Sequence, residues 1–108
     1  MEYHRELAYL QVETARALTR DRRATEAIKN YRLAIDAFEQ LSASDPSRIT
    51  DNYRFMTSSY KALGELLQET GSKSEAAENF RKSKQYAEKW LEIAPDNVAL
   101  RREIIGDK

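Results

Sequence analysis

Apolar residues recur along this chain at steps of three and four. Ala27, Tyr31, Ala34, Phe38 and Leu41 form one such series, and Ala76, Phe80, Ser83, Ala87 and Trp90 follow the same steps. Tyr53, Met56, Tyr60, Leu63 and Leu67 form a third series, with Gly64 beside them. Spacing of this kind puts side chains on one stripe of an α-helix. Five helices are predicted. They span about Glu2–Arg20, Thr25–Ala43, Pro46–Thr70 and Ser74–Ile93, with a short last one over about residues 97–106. Asp45 is placed to cap the third helix, with Pro46 at its first position, where proline's missing donor costs nothing. Gly71 is placed to end it in the left-handed conformation. Asp96 or Asn97 caps the fifth, which stops near Gly106. Short connections make neighbouring helices antiparallel. Only three glycines and two prolines interrupt residues of strong helix propensity, so the fold class is all-α.

The pattern also repeats over a longer period. Glu26-Ala27 and Glu75-Ala76 lie 49 residues apart, as do Asn30-Tyr31-Arg32 and Asn79-Phe80-Arg81, Leu18 and Leu67, Arg5 and Arg54, and Pro46 and Pro95. One offset aligns all of these without a gap. The chain therefore divides into repeat one over about residues 2–45, repeat two over about 46–95 and a short C-terminal helix over about 97–106, all within one domain spanning 1–108.

From Tyr60 to Phe80 the sequence resembles a tetratricopeptide repeat. That family has a large residue, then Leu-Gly, a second large residue, a turn glycine, an alanine and an aromatic. Here these positions hold Tyr60, Leu63-Gly64, Leu67, Gly71, Ala76 and Phe80. Repeat one keeps Ala15, Leu18, Ala27 and Tyr31 but departs at Gln11, Thr14 and Arg22. The family's usual period is about 34 residues, and about two helical turns are added to each helix of the hairpin, which preserves the phase of the apolar stripe. The resemblance implies hairpins stacked as an α-solenoid. The long period is similar to repeat arrays attached to some bacterial eukaryotic-like serine/threonine kinases, on Asn52-Tyr53-Arg54, Ala62-Leu63-Gly64-Glu65-Leu66-Leu67 and Thr70-Gly71. It implies a regulatory or docking region in a larger protein.

In this family the first helix of each hairpin lines a groove for partner segments. By position the resemblance puts Tyr9, Val12, Arg16 and Arg20, Ser58, Lys61, Glu65 and Gln68 in that groove, with Arg101 and Arg102 closing one end. These same positions also suit a plain solvated helix face. The family's clamp for a terminal carboxylate is not supported, because Glu65 stands where an asparagine is wanted and would repel an anion at short range.

Composition narrows the functions further. Charged residues make up 33% of the chain with a net charge of zero, so neither nucleic acid nor an anionic membrane is an expected partner. There is no cysteine and a single histidine, His4, so no metal, cofactor or catalytic centre is expected. Arg16, Arg20, Arg22 and Arg23 form one basic cluster, which either meets an acidic or phosphorylated segment or simply favours a helix C-terminus. No apolar run approaches the ~20 residues of a membrane span, and the expected compartment is the cytoplasm. Trp90 is expected to pack near Val98 and Leu100 or to meet another chain, because a short repeat array exposes its flanks. The expected function is binding of a protein or peptide partner, with homodimerisation or a structural role in a larger protein as the alternative.

Overall fold

The computed structural model describes residues 2–96 and residue 102. Four α-helices follow one another: α1 (Glu2–Arg20), α2 (Ala24–Ser44), α3 (Ile49–Glu69) and α4 (Lys73–Ile93). Among the described residues there is no strand, so the chain is all-α as expected. The fifth helix expected over 97–106 lies outside the described residues.

The apolar stripes explain how the helices associate. Ala27, Tyr31, Ala34, Phe38 and Leu41 are all buried, as are Met56, Tyr60, Leu63 and Leu67 on α3. On α4 the stripe is weaker, and only Ala76, Ser83 and Ala87 are buried. α1 packs on α2, α2 on α3 and α3 on α4. Tyr9 meets Phe38, while Arg16 and Thr19 lie beside Tyr31, so α1 and α2 are antiparallel. Ser42 reaches Met56 and Glu39 reaches Tyr60, so α2 and α3 are antiparallel as well. Tyr53 meets Tyr86, and Gly64 faces Phe80, which pairs α3 with α4 in the same sense.

The 49-residue offset reappears in the backbone. Arg23 N–H donates to the Leu18 carbonyl at 2.9 Å, and Ser72 N–H donates to that of Leu67 at 2.8 Å. Arg22 donates to Thr19 at 3.1 Å and Gly71 to Gln68 at 3.2 Å. Asp45 donates to Leu41 at 2.7 Å and Ala94 to Trp90 at 2.9 Å. Asn30 and Asn79 each return a side-chain hydrogen bond to the carbonyl four residues back, Glu26 and Glu75. The turns after α1 and α3 are thus the same Schellman closure, with crossed bonds that satisfy the last carbonyls. Its left-handed residue is Gly71 (φ 92°) in one copy and Arg22 (φ 61°) in the other.

One expected helix start is corrected. α3 does not begin at Pro46. Residues Pro46–Arg48 form a 3-10 turn, and no side chain caps either start. The Asp45 carboxylate instead accepts a hydrogen bond from Ser47 Oγ at 2.6 Å. That bond, then the nearby Arg5 and Arg48 cations, hold its carboxyl below the usual aspartate range. The chain tightens for one turn before the α-helix starts.

The close crossing of α3 and α4 uses small residues. A Cβ on Gly64 would stand 2.9 Å from Phe80 Cε1, and Ala76 is buried in the shared core. Ala76→Leu is expected to destabilise the fold by about 1–3 kcal/mol through overpacking, read from urea unfolding; an unchanged midpoint would place Ala76 away from the crossing. Arg22→Gly has the opposite sign. It relieves about 1 kcal/mol of left-handed strain, so its unfolding midpoint is expected to rise, and a fall would contradict the strain.

Candidate interaction surface

The structure separates the groove residues expected from the first helices. Val12 is a correction: it is 1% exposed and belongs to the core. Ala8, Val12 and Ala15 make a buried stripe on α1, so an apolar side chain in this series faces inward and cannot line a groove. Tyr9 is half-buried, with its ring 5.9 Å from that of Phe38 and 4.9 Å from that of Phe55. Arg16, Arg20, Ser58, Lys61, Glu65 and Gln68 are exposed. Ser58, Lys61 and Glu65 come together in a cleft of about 310 Å³ with Arg54, Ala62 and Trp90. Trp90 therefore faces the candidate groove of α3, half-buried. Arg20 lies elsewhere, in a second cleft of about 390 Å³ with Thr19, Arg22, Leu66 and Glu69. Arg101 lies outside the described residues, and Arg102 is exposed.

The basic cluster is partly paired. Arg16 meets Glu13 at 3.2 Å and Arg23 meets Glu26 at 2.6 Å, all four side chains exposed. Such pairs contribute little to stability but leave less free positive charge for a ligand. His4 is exposed. Among the described residues no group of three histidine, cysteine, aspartate or glutamate side chains is placed to hold a metal ion, and no helix is long and apolar enough to cross a membrane.

Sequence reasoning missed a cleft away from the first helices of the hairpins. It lies on α2, beside the turn between α3 and α4, measures about 490 Å³, and is lined by Ile28, Arg32, Leu33, Asp36, Leu67 and Glu75 among others. Arg32 bridges to Glu75 at 3.2 Å across it. A neighbouring cleft shares Arg32, Asp36 and Glu75 and continues to Ile35, Glu39, Tyr60 and Lys82. The available signal was Leu33, an apolar residue off the buried α2 stripe and 44% exposed.

In that neighbouring cleft Tyr60 OH donates to Glu39 Oε2 at 3.0 Å. Burial first, then the Glu39 carboxylate, raise the Tyr60 pKa well above the ordinary tyrosine range. Burial raises Tyr31 and Tyr86 as well.

Comparison with family models, with curated proteins and with solved structures finds no match to this chain.

The tyrosine shift has a sign that can be checked. Tyr60 is neutral in the fold at pH values where the unfolded chain, with a tyrosine pKa of about 10, already ionises. Its contribution is complete below that pH and is lost as pH rises toward the folded value. Stability of the native chain is therefore expected to decline faster above about pH 10 than that of Tyr60→Phe. Urea unfolding across this range measures both, and equal declines would contradict the coupling.

Proposed function

We propose that the chain is a protein-interaction module, built from two copies of one lengthened, tetratricopeptide-like hairpin stacked as a short solenoid. The observation that carries this reading is the set of turn hydrogen bonds repeated at a 49-residue offset, with a left-handed residue at the same place in both copies. The stacking of α3 against the preceding hairpin supports the solenoid, since Arg5 pairs with Asn52 and Tyr9 with Phe55 across the two first helices. The partner is a protein segment, and the surface offered to it is the exposed side of α1 and α3. Its best-formed part is the cleft of Ser58, Lys61, Glu65 and Trp90. That cleft combines an aromatic wall with two cations, Arg54 and Lys61, and the Glu65 carboxylate, which suits an extended segment of mixed character. The long period supports reading such a module as part of a larger protein, of the kind in which similar arrays accompany a kinase. No chemistry beyond binding is assigned to it.

The test is selection of binding peptides followed by titration. Lys61→Glu and Arg16→Glu lie on exposed positions and are expected to leave the melting temperature unchanged. Lys61→Glu is expected to weaken the selected peptides at least ~10-fold, about 1.4 kcal/mol, with a smaller loss for Arg16→Glu. Full retention of affinity by both variants would overturn the groove.

A further inference from the structure

We infer that the outer face of α2 is a docking surface for a second copy of this chain, with the two α2 helices antiparallel about a two-fold axis beside Leu33. This face repeats the steps of the buried stripe behind it. Lys29, Leu33, Asp36 and Gln40 follow at intervals of four, three and four, and all of them are exposed. Leu33, 44% exposed, stands between a cation and a carboxylate. Lys29, Leu33 and Asp36 line the cleft of about 490 Å³, in which Ile28 and Leu67 supply further apolar surface. Its walls are α2 and the turn between α3 and α4, at the Lys73 end of α4.

The second hairpin supplies an internal comparison. The 49-residue offset puts Glu78, Arg81, Lys82, Gln85 and Lys89 at the places of Lys29, Arg32, Leu33, Asp36 and Gln40. On α4 this face is polar throughout, and its charges are engaged within the chain. Arg81 pairs with Glu78, Lys82 lies over the Tyr60 ring at 5.7 Å, and Lys89 lies over the Tyr86 ring at 5.0 Å. On α2, Arg32 is engaged in the same way, with Glu75. Among the described residues, however, neither Lys29 nor Asp36 forms an ion pair, and a leucine replaces the lysine between them.

The face of α2 is also its own complement. Lys29 and Asp36 are two helical turns apart on one side of the helix, about 10 Å along its axis. A two-fold axis midway between them sets Lys29 of each copy against Asp36 of the other. It also brings the two Leu33 side chains together at the mouth of the cleft. Parallel helices would instead oppose like charges, so the charges fix the antiparallel sense. A contact of this kind is isologous and closes as a dimer. A different protein would have to present the reversed pattern of charges around an apolar residue, and a second copy already does.

The chain has no cysteine, which makes the contact open to cross-linking. Leu33→Cys is expected to oxidise to a covalent dimer and nothing larger, whereas Gln85→Cys, exposed on the corresponding face of α4, remains monomeric. In sedimentation velocity the native chain is expected to dimerise reversibly, and Leu33→Lys to weaken that association at least ~10-fold. Lys29→Glu and Asp36→Lys each oppose like charges twice and are expected to weaken it as much. An equimolar mixture of those two variants is expected to recover the dimer, because every opposed pair is again of unlike charge. The substituted positions are exposed, and circular dichroism melts establish that each variant is folded. A native chain that stays monomeric at every concentration overturns the contact. It does so whether the Leu33→Cys thiol then labels freely, as on a solvated face, or is shielded by other residues of the chain or by a different protein. A mixture that fails to recover overturns the two-fold pairing. The inference uses the register of the two hairpins but not the groove on α3. Intact peptide binding at Lys61 without dimerisation therefore overturns this contact alone, and the reverse outcome overturns the groove alone.

Discussion

Phe38 is the residue through which three of the four helices meet. Its side chain is fully buried. Its ring lies 5.3 Å from Phe55, almost coplanar in orientation at 2°, and 5.9 Å from Tyr9. Tyr9 and Phe55 in turn approach each other to 4.9 Å. One side chain from each of α1, α2 and α3 thus forms a closed aromatic triangle. A helical hairpin of two ~20-residue helices has no second layer on which to bury its apolar stripe, and most helical stability comes from such packing rather than from propensity. The triangle supplies that layer. Truncating a buried phenylalanine costs about 3–5 kcal/mol, a large share of the ~5–15 kcal/mol that holds a small domain together.

A polar contact fixes the register that the triangle leaves loose. Arg5 is 4% exposed, and its Nη1 donates to Asn52 Oδ1 at 2.6 Å. The Asp45 carboxylate lies 3.8 Å from the other guanidinium nitrogen, too far for a hydrogen bond. Aromatic faces tolerate sliding, but a buried guanidinium that loses its acceptor costs about 1–3 kcal/mol or more. A slip of α1 along α3 by one turn would strand both Arg5 and Asn52. Arg54, the counterpart of Arg5 in the second unit, is exposed and rests over the Phe55 ring at 4.8 Å. The same residue type is thus a buried tie to α3 in the first unit, and an exposed cation, 3.8 Å from Asp51, in the second.

The sequence made the repeat legible because its marks are local. Leu18 and Leu67, Ala27 and Ala76, and Tyr31 and Phe80 occupy turns and crossings whose geometry depends on a few neighbouring residues. Local geometry of this kind survives in the pattern of residue types. The stripe on α2 was legible for the same reason, since every residue of it is buried. What escaped depended on contacts that the residue types do not announce. Val12 looked like a groove residue by position but faces the core with Ala8 and Ala15. Phe55 lies off the α3 stripe that the pattern picked out, yet it completes the aromatic triangle. Asp45 had the right identity for a helix cap, but Ser47 and Arg5 compete for its carboxylate. Arg22 carries no sign of the left-handed backbone it adopts, because glycine is the residue that normally announces it.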